Sequence, residues 1–200
     1  MKYNPVNNIK IQGIKKKKLH HIFTAEELNK LYNDYKPEEI PRKQSRSQKE
    51  HELIEKRNKV MLGLYVYQGI QSAELYRLEV KDINIRAGEI NVPEIKRSNS
   101  RVLQLEAHQV LDLYEYILKV RTEILAMNGQ ETEQLFVSPK GGNDQSNYVY
   151  RMLSELKKHN SKVKNAQQLR ASVITKWLKQ YNLREVQYKA GHRYINSTEA

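Results

Sequence analysis

Regular patterning begins at Thr24, after which apolar residues recur at the spacing of one helix face. Thr24 and Glu27 have the spacing of a capping box, in which each side chain bonds the backbone N–H of the other residue. Phe23 and Leu28 have the spacing of a hydrophobic staple at the same helix start. We therefore predict a first helix that begins after Thr24 and ends before Pro37.

A second and longer helix is predicted over residues 48–67, and then the period of the apolar positions changes. Residues 82–85, 89–92 and 101–105 largely alternate between apolar and polar side chains. Alternation with a period of two is typical of a strand with one buried face. We predict that these segments form a three-stranded antiparallel meander.

Helical spacing returns after the predicted strands. Helices are predicted over residues 106–128, 147–158, 167–181 and 184–189. The predicted fold class is therefore α+β, mainly α-helical with a small three-stranded antiparallel sheet. Residues 23–200 suit one domain, and residues 1–22, which lack periodicity, are predicted to form a basic N-terminal arm or interdomain linker.

The charge of the chain narrows the choice of partner. It carries 35 lysines and arginines against 23 aspartates and glutamates, a formal net charge of +12. Such a balance suits a polyanion, namely DNA, RNA or an anionic membrane surface. The N-terminal arm contains a basic run that is either a solvated charge cluster or a segment lying along phosphates. The run consists of Lys15, Lys16, Lys17 and Lys18.

Composition disfavours several kinds of site and location. The chain has no cysteine, which excludes disulfides and thiolate metal sites, and we expect neither a metal nor a cofactor. No apolar run approaches the roughly 20 residues that cross a bilayer, and the first residues lack a secretory signal. We expect a soluble protein inside the cell with no membrane partner.

Four short motifs follow one another in an order that is more specific than any one of them. They are Gly69-Ile70-Gln71-Ser72-Ala73-Glu74-Leu75, Ile95-Lys96-Arg97, Gln167-Gln168-Leu169-Arg170 and Ala190-Gly191-His192. With this order and spacing, the chain resembles the catalytic domain of the tyrosine recombinases, or phage-type integrases, over about residues 23–200. The resemblance implies the DNA breaking-rejoining fold, and it likens the N-terminal arm to the linker that follows a core-binding domain.

The resemblance also implies an activity and a partner. Members of this family cut double-stranded DNA with a tyrosine nucleophile, keep the strand as a 3′-phosphotyrosyl link and rejoin it without a cofactor. The expected function is DNA recombination or integration for a phage or other mobile genetic element. The resemblance implies self-assembly as a tetramer on DNA, and a bacterial or phage-encoded protein in the cytoplasm at the nucleoid.

Three positions of this chain match residues that act on the phosphate in that family. Arg170 matches one of two arginines that clamp the phosphate, a task suited to the planar guanidinium fork. Lys96 matches the proton donor to the leaving oxygen, and His192 matches a histidine that hydrogen-bonds the scissile phosphate. The arginines near these positions that we expect to contact the DNA backbone are Arg97, Arg101 and Arg193.

Three departures from the family pattern bear on catalysis. Gln71 stands where the first clamp arginine is expected, and Gln167 stands where a histidine is expected. Glutamine donates hydrogen bonds but has no charge and does not shuttle protons near neutrality. Losing one preorganised donor to an oxyanion typically costs about 10²- to 10³-fold in rate. The family interval after His192 places the nucleophile at position 201, so we expect this chain to bind DNA without cleaving it.

Two other functions stay open at this point. The two glutamines fit a catalytically inactive relative that serves as an accessory DNA-binding protein. A helical protein-interaction domain with an incidental basic surface also fits the composition. Binding to DNA that weakens as salt rises would separate the DNA-binding functions from the protein-interaction function.

Overall fold

The computed structural model describes residues 21–35, 45–141 and 145–199, so the lysine run of the predicted arm lies outside the described residues. The helices are α1 (Ala25–Asn33), α2 (Ser45–Tyr67), α3 (Ser72–Leu75), α4 (Ala107–Glu115), α5 (Arg121–Asn128), α6 (Gln145–His159), α7 (Ala166–Leu178), α8 (Leu183–Ala190) and α9 (Asn196–Glu199). The strands are β1 (Ile83–Asn84), β2 (Glu89–Val92) and β3 (Arg101–Gln104). This arrangement confirms the predicted fold class.

Helix α1 begins as the sequence predicts. The Thr24 hydroxyl accepts a hydrogen bond from the Glu27 N–H at 3.2 Å, and the Thr24 N–H donates to the Glu27 carboxylate at 3.0 Å. Phe23 is buried, and its N–H donates to the hydroxyl of Ser172 on α7 at 3.0 Å. The capping box therefore fixes the start of α1, and Phe23 fixes the position of this start against α7.

Helix α2 is the centre of the core. Its buried side chains meet α1, α4, α5, α6 and α7. The side chains of this helix that are at most 1% exposed are Met61, Leu62, Leu64, Tyr65 and Val66. Because α2 touches most of the other helices, its C-terminal end provides a rigid base for the loop that follows at Gly69.

The sheet is antiparallel with the strand order β1-β2-β3. Ile90 pairs with Ile83 on one side and with Leu103 on the other, and these three side chains are buried. A pair of glutamine amides joins the sheet to the core, since Gln68 and Gln109 donate to each other at 2.9 Å and Gln68 also donates to the Gln104 carbonyl at 2.9 Å. The predicted meander is confirmed, and its position relative to α2 is set by buried hydrogen bonds.

The predicted helix over residues 106–128 is continuous but contains a π-helical turn at Tyr116–Val120 between α4 and α5. Tyr116 is buried there and donates to the Leu135 carbonyl at 2.9 Å. The predicted helix over residues 167–181 ends earlier, at Leu178, because Asn182 caps the next helix by accepting from the Glu185 N–H at 3.0 Å. Among the described residues, no helix combines the length and apolar character that crossing a membrane requires.

Replacing Leu64 tests the central role of α2. Leu64 is fully buried, so Leu64→Ala is expected to lower the free energy of unfolding by about 2–5 kcal/mol. Leu111→Ala makes the same change at a helix position that is 70% exposed, and its effect should stay within about 0.5 kcal/mol. Urea denaturation followed by circular dichroism measures both. Equal losses in the two variants would contradict this description of the core.

Candidate functional site

Arg170 lies in the second turn of α7 and ties together two loops. The helix starts at Asn165, whose side chain accepts from the Gln168 N–H at 2.9 Å. The Arg170 side chain is nearly buried and donates to the Gly69 carbonyl and to the Ala190 carbonyl, each at 2.5 Å. Burial lowers the pKa of Arg170 to about 10, so the guanidinium remains a cation near pH 7. The predicted site residue therefore links the end of α2 to the end of α8.

A buried carboxylate lies between Arg170 and the sheet. Glu74 on α3 is fully buried, and its oxygens accept from the two Nη atoms of Arg101 at 2.7 and 2.9 Å. It also accepts from the Gln71 N–H at 2.8 Å and lies 3.9 Å from Nη1 of Arg170. Burial opposes ionisation, but the bonds and charge of Arg101 outweigh it and keep the pKa of Glu74 below its usual value. Glu74 is therefore a buried anion shared by two guanidinium groups.

The structure corrects the expectation that Arg101 lies at the surface to contact the DNA backbone. Its side chain is fully buried, because strand alternation puts Arg101 on the same face of β3 as Leu103. Besides its bonds to Glu74, Arg101 donates to the Lys189 carbonyl at 2.7 Å and to the Ser98 hydroxyl at 3.2 Å. Arg101 is thus an internal cross-link between β3, α3 and α8.

Lys96 and Arg97 form the two central residues of a tight turn. Ile95 and Ser98 close this turn with backbone bonds of 3.0 and 3.1 Å, and both basic side chains are exposed. The turn is attached to the end of α8, since the Asn99 N–H donates to the Gly191 carbonyl at 2.9 Å and the Ser98 hydroxyl donates to it at 3.1 Å. The structure therefore holds the Lys96 turn beside the Gly191-His192 segment.

His192 follows Gly191, which has a left-handed φ of 69° at the end of α8. A β-bridge joins His192 to Ser98, and Nδ1 of its ring lies 2.9 Å from the Thr198 hydroxyl on α9. Burial and the positive charges of Arg170 and Arg101 lower the pKa of His192 to about 4. Near pH 7 the ring is therefore neutral and offers a hydrogen-bond donor in place of a charge.

The remaining predicted residues lie at different places around this cluster. Gln71 is half-buried at the start of α3, close to the Gly69 carbonyl that Arg170 binds. Gln167 is exposed in the first turn of α7. Arg193 is exposed but bonds the Glu94 carboxylate at 2.5 Å. Within the described part of the chain, no group of three or more His, Cys, Asp or Glu side chains is arranged to hold a metal ion.

Two residues, Glu74 and Thr198, contribute to the site in a way that was not predicted. Glu74 belongs to the first motif, and its capping-box spacing from Gln71 was the available signal for its backbone contact. The burial of Glu74 could not be predicted from the sequence, because its partner Arg101 lies 27 positions further along the chain. No sequence pattern indicates a role for Thr198, because its role depends on the contact between its hydroxyl and the ring of His192.

Comparison with known proteins identifies relatives of this arrangement. Residues 22–200 match the sequence profile of the phage integrase family. Tyrosine recombinase XerC of Actinobacillus succinogenes is 31% identical over 152 residues, which cover 74% of this chain and 50% of XerC. The TnP I resolvase of Bacillus thuringiensis is 27% identical over 144 residues, which cover 72% of this chain and 48% of the resolvase. The chain thus spans half or less of the length of these curated relatives.

A solved structure shares the fold. The XerH site-specific recombinase, in a post-cleavage complex with palindromic difH substrate, superposes with a TM-score of 0.70 at 22% sequence identity. The match covers 91% of this chain and 49% of the XerH chain. At this level of identity the comparison establishes the common architecture of the helices and the small sheet.

Gly191→Ala tests how closely the Lys96 turn approaches α8. An added Cβ would lie 2.4 Å from the Ser98 hydroxyl and 2.5 Å from Nη1 of Arg101. Gly129 has a similar φ of 66° with no atom within 4 Å of the added Cβ, so Gly129→Ala is the matched control. We expect a loss of about 1 kcal/mol for the control and a loss larger by about 1–3 kcal/mol for Gly191→Ala, measured by thermal denaturation. Equal losses would refute the close approach.

The lowered pKa of His192 predicts a pH dependence of stability. Between the ordinary value of 6.5 and about 4, the unfolded chain binds a proton at His192 that the folded chain does not bind. The neutral His192 ring therefore contributes to the free energy of unfolding. This contribution is fully present above pH 6.5 and is lost as the pH falls towards 4. His192→Gln should flatten the slope of stability between pH 4 and 6.5, measured by urea denaturation. The other histidines are the same in both proteins, so an unchanged slope would contradict the assignment.

Proposed function

Since the chain belongs to the phage integrase family of tyrosine recombinases, we propose that its cluster of Arg170, Lys96 and His192 binds one phosphate of double-stranded DNA. The parent activity would be site-specific recombination or integration through a 3′-phosphotyrosyl link. Because the chain covers only part of its relatives, the activity of the whole protein is part of this proposal. Residues 23–200 would form the catalytic-like domain, and residues 1–22 would form a basic linker.

The observation that carries the proposal is the tethering of three separate segments at one place. Arg170 donates to the carbonyl of Ala190, and the adjacent Gly191 accepts from the turn that holds Lys96. The same glycine precedes His192. These contacts hold close together the three segments that carry a guanidinium, an exposed ammonium group and a neutral imidazole. Cations and N–H donors in such proximity suit the oxygens of a phosphate diester.

Electrostatics also supports an anionic ligand. Glu74 supplies one negative charge against the two positive charges of Arg101 and Arg170, so this buried group carries a net positive charge. A phosphate bound beside this group would balance the charge. The exposed Arg97 extends the positive surface beside the Lys96 turn. Arg97 and the exposed Arg193, whose charge is paired with Glu94, both remain candidates for the DNA backbone.

The relatives support the proposed partner. The XerH structures contain its difH substrate in pre-cleavage and post-cleavage complexes, which supports DNA as the ligand of this chain. Assembly of several copies on DNA, as a tetramer, is part of the same proposal. A bacterial or phage-encoded protein of this kind would act in the cytoplasm, at the nucleoid.

Catalysis would be slow at this site because two expected side chains are replaced by neutral glutamines. Gln71 adds no positive charge next to the phosphate, and Gln167 does not transfer protons near neutrality. The proposed site would therefore hold DNA well while stabilising the transition state of cleavage poorly.

Restoring the two family residues tests this account of catalysis. In a chain extended through the family's tyrosine position, Gln71→Arg together with Gln167→His should raise the rate of covalent adduct formation by about 10²-fold or more. A fluorescent suicide substrate resolved on a denaturing gel measures the adduct. No gain would mean that other residues have taken over these roles, and the account of the glutamines would be abandoned.

Removing Lys96 tests phosphate binding. Lys96→Ala is expected to weaken duplex binding and to reduce the slope of log affinity against log salt by about one, as for a single phosphate contact. Fluorescence anisotropy of a labelled duplex at several salt concentrations measures both quantities.

The matched control is Lys119→Ala. Lys119 is exposed and lies near Glu115, which pairs with Lys56 of α2, roughly 20 Å along that helix from Gly69. This control should leave the slope unchanged. Equal effects of the two substitutions would indicate diffuse charge attraction and would argue against a phosphate site at the Lys96 turn.

A further inference from the structure

The ring of His192 has one nitrogen with a defined partner and one without. Nδ1 lies 2.9 Å from the Thr198 hydroxyl. Nε2 has no hydrogen-bond partner in residues 21–35, 45–141 and 145–199. Near pH 7 the neutral ring carries one proton, which lies on either Nδ1 or Nε2. The tautomer therefore decides whether the unpartnered nitrogen is a donor or an acceptor.

The backbone of His192 is held independently of its ring. Its N–H donates to the Gln187 carbonyl at 3.0 Å, and its carbonyl accepts from the Gln187 side chain at 3.1 Å. The β-bridge to Ser98 fixes the same residue from the side of the sheet. With the backbone fixed, the orientation of the imidazole depends on its contact with Thr198.

Thr198 favours one tautomer because its hydroxyl is buried. The residue is 4% exposed, and its hydroxyl bonds only His192 among the described side chains. If Nδ1 carried the proton, it would donate to Thr198 and leave the hydroxyl hydrogen without an acceptor. If Nε2 carries the proton, the hydroxyl donates to Nδ1 and both buried atoms are satisfied. The large majority of buried polar groups in proteins have a hydrogen-bond partner, which favours the second arrangement.

We propose that Thr198 is a positioning residue for His192, whose hydroxyl donates to Nδ1 and so keeps the Nε2–H as the donor to the DNA phosphate. This inference rests on the proposed function, since it names the phosphate as the acceptor. A phosphate oxygen accepts hydrogen bonds and does not donate them, so only the tautomer with Nε2–H is useful there. The orientation of the ring thereby depends on the docking of α9 against α8.

The first test measures the tautomer in the free protein. Long-range ¹H–¹⁵N spectra of the histidine rings should show Nε2–H as the dominant form of His192 in the wild type and in Thr198→Ser, which keeps the hydroxyl. Thr198→Val keeps the shape and removes the hydroxyl, so it should shift His192 towards a mixture of tautomers. An unchanged tautomer in Thr198→Val would overturn the inference regardless of the effect of this variant on DNA affinity.

The second test measures duplex affinity by fluorescence anisotropy. Thr198→Val is expected to weaken binding by about two- to tenfold, the effect of losing one ordinary hydrogen bond, while Thr198→Ser stays within about twofold of the wild type. If Thr198 acts through His192, the double variant His192→Ala/Thr198→Val should bind no more weakly than His192→Ala alone. Additive losses would mean that Thr198 stabilises the domain in some other way, and they would overturn the inference.

The variants also separate failure of this inference from failure of the proposed function. If His192→Ala leaves duplex affinity unchanged, His192 does not bind the phosphate, and the proposed role of the cluster fails at that residue. If His192→Ala weakens binding but Thr198→Val does not, the cluster stands and the positioning role of Thr198 is wrong. Thermal denaturation of each variant identifies any loss of folding. If Thr198→Val does not fold, the wild-type spectrum decides, because a dominant Nδ1–H form of His192 would overturn the inference.

Discussion

The Glu74 carboxylate is the interaction on which the candidate site depends. It is fully buried and bonds both Nη atoms of Arg101, while Arg170 lies 3.9 Å away. Removing one partner of a buried ion pair costs about 3–5 kcal/mol, because the remaining charge loses its compensation. Moving either arginine away from Glu74 would therefore lower the stability of the fold substantially. As a result, α3, β3 and α7 are held in one relative position by charges that are almost completely buried.

Fixing the arginines also fixes the loops that carry the exposed chemistry. Arg101 donates to the carbonyl of Lys189, and Arg170 donates to the carbonyl of Ala190, so both guanidinium groups hold the last turn of α8. Gly191 follows at once, and its carbonyl binds the turn that presents Lys96. The exposed residues are thus positioned by buried ones. This arrangement gives a surface site the rigidity of the core without placing the surface charges themselves in the interior.

Much of the fold could be predicted from local sequence patterns. The capping box at Thr24, the alternating strands and the α+β fold class depend on neighbours in sequence, and the structure agrees with them. The prediction that Arg101 contacts DNA relied on its charge. Alternation along β3 instead puts Arg101 on the buried face with Leu103. Glu74 and Thr198 are a different case. Their roles depend on partners brought together only by the tertiary fold, which local spacing does not encode.

One of the two glutamines, Gln71, has a physical rationale in the charge of the buried cluster of Glu74, Arg101 and Arg170. An arginine at position 71 would place a third guanidinium near a single carboxylate that Arg101 and Arg170 already share. Glutamine removes that repulsion and with it a cation for the phosphate. At position 167 the side chain is neutral, but it lies in the first turn of α7, where the helix dipole still favours an anion. Under the proposed function, attraction for a phosphate would therefore be retained by the backbone and by Arg170, whereas the charges that would stabilise the transition state would be reduced. Binding and cleavage make different demands on the same site, and under the proposed function this sequence would meet the first demand better than the second.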